Sequence, residues 1–266
     1  MRYLKAGSGP ALILIHGLLG YSFSFRFVMP ALAACATIYA VDNLGFGLSR
    51  SSEGMDCSLA ATSERILQFA DALGIGEFDI FGSSYGGAIA IVAASLSAAR
   101  AKPKVRRMIL AGPVNPWSPH GKRLAPFVGS TVGSFLFRNT IARWRPLDHL
   151  WLRRMFGDPK KVPPDSLEGY RIPILKNNAI LHASRVVKHW TRDLAVLEKA
   201  LPATRYYRTL VMWGTKDRVV NLKSAKKLRD NFCDAQLVIF KWVGHLPYEE
   251  TPDEFNQALI KFLTDQ

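Results

Sequence analysis

Residues 78–87 read Phe-Asp-Ile-Phe-Gly-Ser-Ser-Tyr-Gly-Gly, and this stretch decides the fold. The apolar run 78–81 has the character of a strand buried on both faces, and 86–99, rich in Ala and small apolar residues, that of a helix packed tightly on a sheet. Between them stands a G-x-S-x-G string, Gly82 to Gly86. Alone the string is weak evidence; between a buried strand and a buried helix it is strong, because flanking glycines permit a sharp turn holding Ser84 exposed at the helix N-terminus. The alternative is a tight strand–helix turn whose Ser merely caps the helix.

Working outward, the same alternation continues on both sides. Strand-like runs fall at 11–15, 37–41 and 105–111, and residues 58–73 have helical spacing, with Leu59, Ile66, Leu67, Phe69, Ala70 and Leu73 on one stripe and Gly74 at the stop. The pattern breaks after Gly112. From Pro113 to about Arg208 there is no strong strand run; Pro residues punctuate helical pieces such as 147–156 and 184–197. It resumes with strands at 209–213 and 236–242 and helices at 222–232 and 252–263. The predicted class is α/β, a mostly parallel twisted sheet flanked by helices, with a core of 1–113 and 209–266 and a helical insertion, 114–208.

A serine hydroxyl is a poor nucleophile until a base removes its proton. Of six histidines, His120, His149, His182 and His189 fall in the insertion, where a solvated helix face is expected. His16 follows the first core strand and is expected to brace its loop. His245, in Val243-Gly244-His245-Leu246-Pro247 after the last strand, is the base candidate, since catalytic groups collect at the C-terminal ends of strands in α/β sheets. Asp217 follows the 209–213 strand and precedes His245 by one loop, helix and strand, which makes it the acid. The order Ser84, Asp217, His245 is the Ser–acid–His order of this architecture. Two backbone N–H groups are needed for an oxyanion: Tyr85 at the helix start, and Leu18 in the His16–Gly20 loop. The glycine-punctuated 42–49 turn lacks P-loop spacing and reads as structural. No Cys/His cluster has metal-ligand spacing, so neither metal nor cofactor is expected.

These motifs together resemble the α/β-hydrolase superfamily over essentially the whole chain. They are HGLLG at 16–20, DNLGFGLS at 42–49, GSSYGG at 82–87, GTKD at 214–217 and GHLPYEETP at 244–252. The resemblance places a helical cap in the insertion. Serine at the elbow is similar to the esterase, C–C hydrolase and cofactor-free haloperoxidase branches, whereas haloalkane dehalogenases and related epoxide hydrolases carry Asp there. HGLLG differs from the HGGG of hormone-sensitive-lipase-like enzymes, and Leu246 stands where many ring-cleavage C–C hydrolases carry Trp. With so little chain before Ala11, the usual first edge strand is expected to be missing or reduced. The expected activity is carboxylic ester hydrolysis through an acyl-enzyme; C–C hydrolysis of a ring-cleavage diketo acid, or acyl transfer, is the alternative.

Of 266 residues, 48% are hydrophobic, which excludes a disordered or disulfide-dense chain. The three cysteines, Cys35, Cys57 and Cys233, are widely spaced and expected to be reduced thiols. With neither a secretory pattern nor a spanning apolar run, the expected location is cytoplasmic. The net charge is +14, and 114–208 holds 17 Lys/Arg against 6 Asp/Glu, so the excess is local to the insertion. No nucleic-acid signature accompanies it. It suits an anionic ester substrate or, since Arg143-Trp144-Arg145-Pro146-Leu147 and 150–156 interleave Arg with apolar residues, weak contact with an anionic membrane. The competing expectation is a cap helix with Leu147, Leu150, Trp151 and Met155 facing the active-site cleft.

Overall fold

In the computed structural model, residues 1–52, 54–118, 125–133, 135–136, 139, 145–176 and 179–265 are described, the side chains of 145–149 and 172–176 excepted. Seven strands form one sheet: β1 (Arg2–Ala6), β2 (Ala11–Ile15), β3 (Thr37–Asp42), β4 (Glu77–Ser83), β5 (Lys104–Ala111), β6 (Arg208–Gly214) and β7 (Ala235–Phe240). Their order is β1-β3-β2-β4-β5-β6-β7, with β1 antiparallel to β3 and every other pairing parallel. The α/β expectation holds. β2 shows why apolar runs become central strands. Ile13 and Ile15 enter one core cluster and Leu12 and Leu14 another, so the alternating side chains fill both faces.

A single edge strand, β1, precedes Ala11, and it is short. Arg2-Tyr3-Leu4-Lys5-Ala6 pairs residue by residue with β3, from Arg2 opposite Asp42 to Ala6 opposite Ile38. Arg2, Tyr3 and Ala6 are partly buried, and Leu4 and Lys5 are exposed. A short, charged edge strand lacks the apolar signature by which inner strands are recognised.

The helices are α1 (Met29–Leu32), α2 (Leu59–Ala72), α3 (Tyr85–Ala98), α4 (Ala125–Val128), α5 (Arg145–Met155), α6 (Ser166–Lys176), α7 (Ala179–Lys188), α8 (Trp190–Ala200), α9 (Ala225–Arg229), α10 (Pro247–Glu250) and α11 (Pro252–Thr264). Ser58 caps α2, its Oγ accepting the Ala61 N–H at 3.3 Å. α3 is buried on nearly every side, as its Ala-rich composition requires. The connection from β5 to β6 carries helices and no strand among its described residues.

Two predicted helices come out differently. The 184–197 piece is split between α7 and α8 at His189, whose N–H donates to Val186 O at 3.0 Å. α7 buries Ala179, Ile180, Ala183 and Val186, and α8 buries Leu194 and Leu197, so the stripe changes direction at the break. The 222–232 piece shortens to one 3-10 turn, Leu222–Ser224, and α9, because the chain leaves the helix to reach β7. No described helix is long and apolar enough to cross a membrane.

Candidate active site

The parallel strands deliver their C-terminal loops to one edge of the sheet, and the elbow sits there. Ser84 has φ 53° and ψ −118°, a strained conformation for a residue with a side chain. It persists because its neighbours hold it. Ser84 N–H donates to Ala111 O at the end of β5, and Ser84 O accepts from Gly87 and Val114 N–H, each at 2.9 Å. The turn also needs close backbone approach. A Cβ on Gly82 would lie 2.2 Å from Gly86 O, and one on Gly86 would lie 2.2 Å from Ile15 O. Although Ser84 occupies the N-cap position of α3, its side chain makes no capping hydrogen bond. The hydroxyl is left to the cavity it lines.

His245 lines the same cavity, and its Nδ1 lies 2.8 Å from Asp217 Oδ2. The other Asp217 oxygen accepts the Val219 and Val220 N–H groups at 2.8 and 2.9 Å, so the carboxylate is fixed in its turn while one oxygen serves the imidazole. Ser84, Asp217 and His245 thus come together at the ends of β4, β6 and β7, as their order predicts. Leu18 and Tyr85 line the cavity beside Ser84. Tyr85 opens α3, so its N–H has no intrahelical acceptor. Leu18 follows Gly17, where an added Cβ would stand 3.1 Å from Ser84 Cβ and 3.7 Å from its Oγ. The HGLLG loop therefore lies directly against the nucleophile candidate.

The sequence pattern of the alpha/beta hydrolase fold family matches residues 10–252. The chain belongs to this family. It is 29% identical over 276 residues to haloalkane dehalogenase 2 of Mycobacterium tuberculosis, covering 98% of this chain and 90% of that protein. To 2-hydroxy-6-oxo-6-phenylhexa-2,4-dienoate hydrolase of Comamonas testosteroni it is 29% identical over 278 residues, with 99% and 91% covered. Among solved structures it is similar to a meta-cleavage product hydrolase from Pseudomonas fluorescens IP01, at a TM-score of 0.82 and 26% identity, covering 98% of this chain and 93% of that one.

This α/β-hydrolase encloses a cavity of about 390 Å³ above Ser84. Leu18, Leu19, Val114, Val128, Leu152, Met155, Trp190, Val219 and Leu246 make its walls apolar, and no Lys, Arg, Asp or Glu among the described residues lines it. Trp151 and Met155 face it as expected. Leu150 does not: it points to solvent and Leu152 takes its place, because Leu152 shares a helix face with Met155 three residues on while Leu150 is turned away. Arg143 and Trp144 of the Arg–aromatic stretch, and His120, lie outside the described residues, as do the side chains of Leu147 and His149.

His16 is a brace. Its Nε2 accepts the Asn43 N–H at 3.0 Å while Nδ1 sits 2.8 Å from Gly17 O, tying the HGLLG loop to the end of β3. Burial holds its pKa below the ordinary value, which keeps the ring neutral as this bonding requires. Asp42 likewise confirms the 42–49 segment as a structural turn, accepting Ser22 and Leu48 N–H groups at 2.8 and 2.9 Å. His182 departs from its expected solvated helix face. It is buried against Phe46, with Cys57 Sγ 3.7 Å from Nδ1, because α7 turns this side onto the core. Burial, aided by Arg185 and Arg65, pulls its pKa down to about 4. His189 is half-buried. Among the described residues no group of three or more His, Cys, Asp or Glu is placed to hold a metal.

Two neighbouring carboxylates do work that sequence reasoning missed. Glu250 accepts Gly244 N–H at 2.7 Å, Gly157 N–H at 2.8 Å and Asp158 N–H at 2.8 Å, while His245 N–H donates to Met155 O at 2.6 Å. The His245 loop is thereby fastened to the end of α5. Glu249 pairs with Arg26 at 3.1 Å and bonds Tyr170 Oη of α6. In the sequence both look like first-turn acids before a helix; only their burial, invisible there, distinguishes them.

Proposed function

We propose that the chain is a serine hydrolase that cleaves carboxylic esters with an uncharged, apolar acyl or alcohol portion. The observation that carries this reading is Ser84, strained and uncapped, sharing an apolar cavity with a His245 that is held by Asp217. Ser84 Oγ attacks the ester carbonyl as His245 takes its proton; Asp217 orients the ring and stabilises the imidazolium. Leu18 and Tyr85 N–H groups hold the developing oxyanion, and the α3 N-terminus adds its partial positive charge. His245 returns the proton to the leaving alcohol, and water repeats the sequence on the acyl-enzyme. Residues 114–208 act as a cap that supplies the upper wall through Val128, Trp151, Leu152, Met155 and Trp190.

The similarity to a haloalkane dehalogenase does not transfer its reaction. A serine alkoxide displacing halide from a saturated carbon would leave an ether, which water does not hydrolyse; a carboxylate nucleophile would leave a cleavable ester. C–C hydrolysis of a diketo acid is the second reading, favoured by the relatives named for it. The cavity speaks for esters instead, since among the described residues no lining cation would offset desolvation of the substrate's carboxylate.

The test is a chain-length panel of activated esters on wild type and Ser84→Ala. The variant should lose about 10⁴–10⁶-fold in kcat. For wild type, kcat/KM should rise by up to roughly three- to fourfold per methylene until the cavity is filled. Full turnover in Ser84→Ala would end the assignment. Turnover of a ring-cleavage dienoate, followed by loss of its visible absorbance, with no ester cleaved would replace it by the second reading.

A further inference from the structure

Given the ester assignment, on which this step rests, we infer that one part of the cavity wall is a hydroxyl-recognition subsite. The ester cleaved there carries an uncharged hydroxyl group on its acyl or alcohol portion. Among the apolar walls stand four hydroxyl-bearing residues, Ser24, Ser83, Tyr170 and Tyr248, all lining the cavity. They form two hydrogen-bonded pairs: Ser83 Oγ with Tyr248 Oη at 3.1 Å, and Tyr170 Oη with Ser24 Oγ at 3.0 Å. The pairs are neighbours, because the residue after Tyr248 is Glu249, whose carboxylate bonds Tyr170 Oη. Burial, then the charges of Glu249 and Tyr248, push the Tyr170 pKa well above its ordinary value, and burial raises that of Tyr248. Both phenols therefore keep their protons.

Each hydroxyl has a single proton to give. The Tyr170 proton goes to the Glu249 carboxylate, which is also paired with Arg26 at 3.1 Å. Ser24 must then donate to Tyr170 Oη, and its own oxygen keeps lone pairs with which to accept. Ser83 is fully enclosed and meets no other partner among the described residues, so its proton goes to Tyr248 Oη. That leaves the Tyr248 proton without an acceptor among the described residues. The wall thus offers a spare donor on Tyr248 and a spare acceptor on Ser24, residues only 2% and 3% exposed. A ligand hydroxyl can accept from the first and donate to the second. A keto oxygen only accepts, and a methylene leaves both groups buried and unmatched, which is costly. A charged substituent would meet no counter-charge, since no Lys, Arg, Asp or Glu among the described residues lines the cavity.

The experiment compares matched esters. Butyl hexanoate is set against 3-hydroxypropyl hexanoate, and methyl hexanoate against its 3- and 5-hydroxy and 3- and 5-oxo derivatives. Each rate is divided by that of hydroxide-catalysed hydrolysis, which removes intrinsic reactivity. In a cavity that is merely apolar, an added hydroxyl lowers kcat/KM, because it is desolvated without return. With the subsite, the best-placed hydroxyl should raise kcat/KM about tenfold, the oxo group at that position falling in between. Tyr248→Phe and Ser24→Ala should each bring the ratio of hydroxylated to parent ester to one or below. A general loss of packing would slow both esters alike and leave the ratio unchanged. Titration of Ser84→Ala with the same esters reads binding without turnover, so a wild type that cleaves no ester reveals failure of the ester assignment separately. Hydroxylated esters poorer than their parents at every position, in turnover and in binding, would overturn the subsite. A wild-type preference retained by both variants would overturn Tyr248 and Ser24 as its source.

Discussion

The loop that carries His245 and the helix that carries Asp193 both close on the cavity, and they treat buried charge in opposite ways. On the His245 side, Glu250 accepts three backbone N–H groups and Glu249 faces Arg26, Tyr170 and Ser166. On the other side, Trp190 of α8 stacks on Tyr85, with ring centroids 6.0 Å apart, and Asp193 lies buried one turn further on. Among the described residues neither Asp193 oxygen completes a hydrogen bond; the Leu59 N–H exerts a pull that falls short of one. Burial therefore drives its pKa up to about 6. The first arrangement fixes a loop whose imidazole must be aimed. The second leaves a helix over the nucleophile attached by apolar contacts and weakened by a charge.

The largest expected effect comes from breaking the fastened side. Glu250→Ala removes the acceptor from three N–H groups, one of them the buried Gly244 N–H next to His245. A loss of about 3 kcal/mol in urea unfolding is expected. The kcat for a small ester should fall more than KM changes, since the imidazole loses its fixed position rather than the substrate its wall. A variant with wild-type stability and kcat would show that the His245 N–H bond to Met155 O holds the loop unaided.

Much of this contrast was legible in the sequence on one side and hidden on the other. The elbow, Asp217 and His245 could be found because each sits at the end of a buried strand, and buried strands betray themselves by continuous apolar runs such as Leu12–Ile15. Leu18 could be placed by the same logic. What fixes those groups was not readable. Glu249 and Glu250 sit in α10 as ordinary first-turn acids would, and only the fold brings Gly157 and Arg26 from far away in sequence to meet them. Asp193 stands in the basic insertion, and nothing in its sequence neighbourhood marks it as buried. β1 was hard to read for a related reason: partly buried Arg2 and exposed Lys5 dilute its pattern. Patterns of apolar residues report burial by the local element, whereas burial by a distant one leaves no local mark.

The unpaired side should respond in the reverse direction. With a folded pKa of about 6 against an ordinary 3.8, the folded chain holds the Asp193 proton more tightly than the unfolded chain. Stability from this group is present at low pH and falls as pH rises between those values. Asp193→Asn should therefore stabilise the protein at pH 7 by about 1–2 kcal/mol, less than the full linkage value because part of the charge remains solvated. Near pH 4 the gain should vanish. A variant less stable than wild type at pH 7 would mean that the carboxylate is paired in solution.

His182, on the neighbouring helix α7, bends the pH curve the other way. Its folded pKa of about 4 lies below the ordinary 6.5, so the unfolded chain takes up the proton first on acidification. Its contribution is complete above pH 6.5 and is lost as pH falls toward 4. Between pH 4 and 6 the two groups oppose each other, Asp193 lowering stability with rising pH and His182 raising it. Relative to wild type, His182→Gln should therefore become progressively more stable as pH falls from 6.5 to 4, by about 1–2 kcal/mol across that window, whatever constant offset arises from lost packing on Phe46. Urea midpoints at half-unit pH steps would read this difference. A difference that stays flat across the window would place a charged or solvated imidazole at position 182, and α7 would then meet the core through a wetter interface than its burial describes.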